Sequence, residues 1–218
     1  VSHFISMGKW EEALRDLSLL LKRKRKNATS ELYHSRILRG MHRSEEALEL
    51  IEQALQLFPS NLLLIQERGR LFLSLKKYTN ALSDFKRSES IFRNEDDTLD
   101  IATVFFHLQN NQEAWKSIES LLPKTHNPLL FALAADCLFV MEKNEDAISY
   151  YRKAQNLGYN NYHILSRLAH SLRRIGKVRE AEYYFRQILK KDPSNPYATL
   201  GLGSCLESLG HYEQALIT

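Results

Sequence analysis

Seven alanines recur along the 218 residues in closely similar surroundings: Ala13 in GKWEEAL, Ala47 in RSEEAL, Ala81 in KKYTNAL, Ala114 in NNQEAW, Ala147 in KNEDAI, Ala181 in GKVREAE and Ala215 in GHYEQAL. Their spacings are 34, 34, 33, 33, 34 and 34 residues. A period of this length constrains the fold more than any local propensity does. A unit so short cannot bury its apolar face alone and must stack on its neighbours.

Other positions repeat with the alanines. Twelve residues before each later anchor stands a small residue: Ser35, Gly69, Ala102, Ala135, Ala169 and Gly203. Nine before lie Phe4, Leu38, Phe72, Phe105, Leu138, Leu172 and Leu206, and four after lie Leu17, Ile51, Phe85, Ile118, Tyr151 and Phe185. Two small positions twelve apart predict a helical hairpin whose backbones cross closely, with the large residues filling the space beside the crossing. Gly8, Gly176 and Gly210, five residues before their anchors, suit a left-handed helix stop between the two helices. Pro59 and Pro193, twelve past theirs, end the second helix, and the Asn or Ser beside them can cap the next one.

On these residues the chain resembles the tetratricopeptide repeat along essentially its whole length. Ala169, Leu172, Gly176, Ala181, Phe185 and Pro193 follow the family pattern well. Gly69, Phe72, Tyr78, Ala81 and Phe85, and then Gly203, Leu206, Gly210, Tyr212 and Ala215, follow it nearly as well. The resemblance implies an all-α, right-handed superhelical solenoid of antiparallel helix-turn-helix units. In that register one solenoid occupies 1–218, with repeats at 1–27, 28–61, 62–94, 95–127, 128–161, 162–195 and 196–218. Val1 falls partway through a first helix and Thr218 three residues past the last anchor. The chain is therefore expected to be a fragment of a longer repeat protein, whose uncapped terminal repeats would allow end-to-end self-association.

Composition excludes several classes. With 44% hydrophobic and 26% charged residues the chain reads as an ordinary soluble domain. Its richest apolar stretch, Pro128 to Met141, is broken by Asp136 and falls short of the ~20 residues of a membrane span. The opening residues are not expected to act as a signal peptide. The net charge of +4 attracts nucleic acid or acidic membranes only weakly. Cys137 and Cys205, the two cysteines, sit at equivalent places two repeats apart, too far for a disulfide, and read as packing residues in a cytoplasmic protein.

No phosphate-binding loop, nucleophile elbow or metal-ligand spacing occurs, so no cofactor, metal site or catalytic residue is expected. The run Lys22 to Lys26 reads as a solvated helix end that complements the helix dipole, with a nuclear-import signal as the alternative. Asn27-Ala28-Thr29 matches a glycosylation acceptor but reads as an inter-repeat helix cap.

The resemblance implies a binding groove lined by the first helix of each repeat. Its expected residues are Arg36, Arg39 and Arg70 toward the amino end, and His163, Arg167, His170, Arg173 and Arg174 toward the carboxyl end. Leu99, Phe106, Asp136 and Phe139 lie between. Arg36 and Arg70, at equivalent places in adjacent repeats, suggest paired guanidinium forks for carboxylates or phosphates. The residues by which relatives clamp chaperone carboxyl termini are not matched: Leu32 and Arg36, and Gln66 and Arg70, stand at those places. The expected function is a non-catalytic scaffold holding a protein or peptide partner with acidic segments. The alternatives are the recognition arm of a larger, glycosyltransferase-like enzyme and, less favoured, a single-stranded RNA reader.

Overall fold

The computed structural model describes residues 1–23, 27–92 and 94–217. Helix follows helix, with no strand among the described residues. The helices are α1 (Ser2–Ser6), α2 (Trp10–Arg23), α3 (Ala28–Gly40), α4 (Ser44–Leu57), α5 (Leu62–Ser74), α6 (Tyr78–Ile91), α7 (Glu95–His107), α8 (Asn111–Glu119), α9 (Pro128–Val140), α10 (Asn144–Asn156), α11 (Tyr162–Arg174), α12 (Val178–Lys191), α13 (Pro196–Ser208) and α14 (Tyr212–Ile217). Residues 24–26 of the basic run Lys22–Lys26 lie outside the described residues.

The chain divides into two compact units, Val1–Leu108 and Gln109–Thr218. The division falls at the turn between α7 and α8, inside the repeat expected at 95–127. Within the first unit each helix packs on the next, and alternate helices also meet, α3 with α5 and α5 with α7. In the second unit α9 meets α11 and α11 meets α13 in the same way. This is the layering of an all-α solenoid, in which the first helices of successive hairpins form one layer and the second helices another.

The repeating residues make the core. Ala13, Ala47, Ala81, Ala114, Ala147 and Ala181 are fully buried, and so are Ile51, Phe85, Ile118, Tyr151 and Phe185 four residues later. Helix α9 is apolar all round, with every residue from Leu130 to Leu138 buried. A helix of that kind needs neighbours on several sides, and α8, α10 and α11 supply them.

The helix ends follow two alternating rules. Each first helix from α3 to α13 begins at an asparagine: Asn27, Asn61, Asn94, Asn127, Asn161 and Asn195 each accept a backbone N–H of the first turn on Oδ1. That is the capping role expected of Asn27, and each cap contributes about 1 kcal/mol. The second helices α4, α6, α10 and α12 start without a side-chain cap. They follow tight stops in which the N–H of Lys9, Arg43, Lys77, Lys143, Lys177 and His211 reaches back to the carbonyls of Phe4, Leu38, Phe72, Leu138, Leu172 and Leu206.

Such a stop needs one residue at positive φ. Gly8, Gly176 and Gly210 supply it as expected, but His42, Lys76, Gln109 and Glu142 occupy the same place with φ of 61°, 58°, 60° and 62°. A side chain there costs about 1 kcal/mol. Lys76→Gly and Glu142→Gly are therefore each expected to stabilise their unit by about 0.5–1 kcal/mol, after the entropy glycine adds to the unfolded chain. Urea unfolding of the single and double variants checks this, with additive gains expected because the sites share no partners.

One buried polar cluster links α5, α6 and α7. Asp97, fully buried, accepts from Gln66 Nε2 at 2.9 Å, Ser88 Oγ at 2.7 Å and Asn94 Nδ2 at 3.0 Å. No cation is among these donors.

Candidate functional site

The residues expected to line a groove all lie on first helices, and hydrogen bonding across that layer decides which of them are available. In the first unit Glu67 of α5 is fully buried. It takes Arg39 Nε at 2.8 Å, with Arg36 Nε at 3.5 Å. Arg70 turns to the next helix and donates from Nε to Asp100 Oδ2 at 2.8 Å. Burial raises the Asp100 carboxyl above the ordinary range, and Arg70 partly opposes that shift. Arg36 and Arg70 therefore do not form a paired fork: each faces an acid of this chain. Leu99 and Phe106, both on α7, are half-buried.

The same relation recurs in the second unit with reversed charge. Asp136 of α9 is mostly buried and accepts from Tyr151 Oη at 2.6 Å and lies 2.9 Å from His163 Nε2. Arg167 Nε stands 3.6 Å away. The acidic group expected in the middle of the groove thus serves as an acceptor inside the layer. Three pairs, Arg36 with Glu67, Arg70 with Asp100 and Asp136 with Arg167, each join one place of a repeat to the place one helical turn earlier in the next, at separations of 30 or 31 residues. Opposite charges at that spacing were the sequence signal for Glu67 and Asp100.

Phe139 lies between two arginines of α11, with the Arg167 guanidinium 5.0 Å and that of Arg174 4.7 Å from its ring centre. These contacts are cation–π interactions. Beside them opens a cleft of ≈ 580 Å³ whose walls include Phe139, Tyr162, His163, Ser166, His170 and Tyr197. Tyr162, Tyr197 and nearby Leu200 of α13 present large apolar surface to solvent, with Tyr197 72% and Leu200 73% exposed. Neither tyrosine was among the expected groove residues.

Histidine 170 packs edge-on against Phe185, ring centres 5.1 Å apart. Burial above all, then the charges of Arg173 and Arg174, hold its pKa below the ordinary value, which is near 6.5. The neutral ring is thus the form the fold prefers, and the unfolded chain takes up the proton first as pH falls. Stability from this residue is fully present above about pH 6.5 and is lost as pH falls from there through the depressed folded value. The loss of stability between pH 7.5 and 5 is expected to be smaller for His170→Gln than for the parent chain, as read from urea midpoints.

No cluster of metal-ligating side chains occurs among the described residues. Cys137 and Cys205 are free and buried, and burial pushes the Cys137 thiol up to about 12. Among the described residues no helix is long and apolar enough to cross a membrane.

A sequence model described as tetratricopeptide repeat matches residues 166–218. No curated protein matches the chain in sequence. Among solved structures, a chain of the APC/C hetero-tetramer Cut9–Hcn1 aligns over 96% of this chain and 42% of its own length, with a TM-score of 0.84 and 14% identity. This chain therefore spans less than half of that relative. PilF of Pseudomonas aeruginosa aligns over 90% of both chains, with a TM-score of 0.74 and 17% identity. YrrB, described as a TPR protein with an unusual peptide-binding site, aligns over 84% of this chain and 95% of its own, with a TM-score of 0.59 and 14% identity. In fold the chain is an all-α solenoid of tetratricopeptide-type hairpins, and its residues 166–218 match the tetratricopeptide repeat in sequence.

Proposed function

We propose that this chain is a non-catalytic protein-interaction scaffold whose second unit holds an extended peptide of a partner along α9, α11 and α13. One observation carries the reading: the cleft beside Phe139 is open and lined by Tyr162 and Tyr197, large side chains left in solvent, with the exposed Leu200 one turn beyond Tyr197 on α13. Exposed aromatic surface of this kind, next to groups that can fix a backbone, is what peptide anchors use. The fold supports interaction scaffolds generally, and the likeness to a repeat protein described with a peptide-binding site agrees with this use.

The test is a selection of random octapeptides displayed against the whole chain, followed by affinity measurement of the winners on a Tyr162→Ala, Tyr197→Ala double variant. Both side chains are exposed, so the fold should persist. A loss of binding of about tenfold or more is expected, the scale of losing one anchor. Unchanged affinity of every selected peptide would move the site elsewhere.

A further inference from the structure

We propose that His163 is the hydrogen-bond acceptor by which the cleft holds the peptide main chain: Asp136 fixes its tautomer, and Nδ1 takes one backbone N–H of the bound peptide. This rests on the peptide reading above and adds to it the polar contact that sets where the peptide lies along the cleft.

The chemistry starts at Asp136. Its Oδ1 accepts from Tyr151 Oη at 2.6 Å and faces Arg167 Nε at 3.6 Å. Its Oδ2 lies 2.9 Å from His163 Nε2, and Oδ1 lies 3.2 Å from the same nitrogen. A carboxylate offers only lone pairs, so the nitrogen facing those oxygens is the one that carries the proton. In the neutral ring the second nitrogen, Nδ1, then keeps a lone pair and no hydrogen. Nδ1 bonds to no described residue. The His163 side chain is 51% exposed and lines the cleft, which leaves this acceptor open to a ligand.

The other polar groups lining the cleft are committed or free to take either role. Asn195 Oδ1 already accepts the Ala198 N–H at 3.1 Å, and Arg167 carries only donors. The hydroxyls of Ser166, Tyr162 and Tyr197 can turn to donate or to accept. His170 is kept toward its neutral form, but no carboxylate of the described residues fixes which of its nitrogens holds the proton. An extended peptide lying on Tyr162 and Tyr197 turns alternate N–H groups toward the helices, as a strand does. An N–H shut off from water there needs an acceptor, and His163 is the cleft residue that a buried acid holds in the accepting form.

Nitrogen NMR of the ring and a methyl scan of the peptides test the two halves of this. In the peptide-free full chain with isotopically labelled histidine, at about pH 8, where an ordinary imidazole is neutral, His163 should show the Nε2–H tautomer. Asp136→Asn should reverse it, since the amide can keep Oδ1 for Tyr151 and donate from Nδ2 to the ring. An Nδ1–H tautomer in the parent chain would overturn the proposal. Each octapeptide selected on the full chain is then remade with one amide N-methylated at a time. One methyl group should weaken binding about tenfold or more, the scale of a buried donor left unmet, with the amides on either side less affected. Against His163→Phe, which keeps a ring and removes both nitrogens, most of that penalty should vanish, and the same is expected against Asp136→Asn. His163 is half exposed and Tyr151 still meets Asp136 in His163→Phe, so that variant should fold, and it carries the test alone should Asp136→Asn not. A penalty unchanged in His163→Phe, or selected peptides with no sensitive amide, would overturn the acceptor and leave the peptide reading standing. A demand for one donor side chain in place of a sensitive amide would overturn the main-chain contact, and no selected peptide at all would overturn both readings.

Discussion

Replacing Gly201 by alanine is expected to destabilise the second unit by about 2 kcal/mol, whereas the same change two residues on, at Gly203, is expected to stabilise it by up to about 1 kcal/mol. Both glycines lie within α13, where alanine is favoured over glycine by about 1 kcal/mol on helix propensity alone. The difference comes from what a Cβ would meet. At Gly201 it would overlap the edge of the Phe185 ring, 2.8 Å from its Cε2 and closer to Cε1 and Cζ. That ring is fully buried and cannot turn aside. Overpacking of this kind costs about 1–3 kcal/mol and outweighs the propensity gain. At Gly203 the nearest atom is the Ala215 carbonyl oxygen at 3.9 Å, an ordinary contact. Urea unfolding followed by circular dichroism gives both signs. The double variant Gly201→Ala, Phe185→Leu should recover part of the loss, with a coupling of about 1 kcal/mol or more between the two sites. Two additive losses would mean that the ring is not what excludes the methyl group.

Asp97→Ala is expected to cost the first unit about 3 kcal/mol. The carboxylate is the shared acceptor of Gln66, Ser88 and Asn94. Its removal strands buried donors from three helices, at about 1–3 kcal/mol for each one left unmet. Asn94 also caps α7 through the Asp97 N–H at 2.7 Å, a bond the alanine keeps, so the start of the helix should survive while its packing on α5 and α6 loosens. Hydrogen exchange should show faster opening of α5 to α7. Asp97→Asn should cost less, since one amide oxygen can still accept. Equal stability of Asp97→Ala and the parent would mean that the three donors find other partners.

The arithmetic of the repeat was legible in the sequence because it reflects local packing demands. An alanine at each anchor, a large residue four further on and a helix stop five before are requirements of the hairpin itself. They recur wherever the hairpin recurs. The asparagine before each first helix is of the same kind, since the cap is satisfied within three residues. These features fixed the all-α class, the positions of the helices and most of the core.

What only the tertiary structure decided depends on residues that stand on different helices. Gly203 reads from its place in the repeat as the small residue of a close crossing, yet it is at Gly201 that a Cβ would meet the Phe185 ring. Likewise Arg36, Arg70 and Asp136 read as groove residues from their place in the repeat. Their partners Glu67, Asp100 and Arg167 stand on the next helix of the layer, and an ion pair between repeats leaves little in either segment taken alone. The physical reason is that periodicity reports which face of a helix a residue occupies, whereas its use is set by what the neighbouring helix places against that face. The alanine period thus determined a stack of hairpins, and stacking decided which arginines hold the stack together.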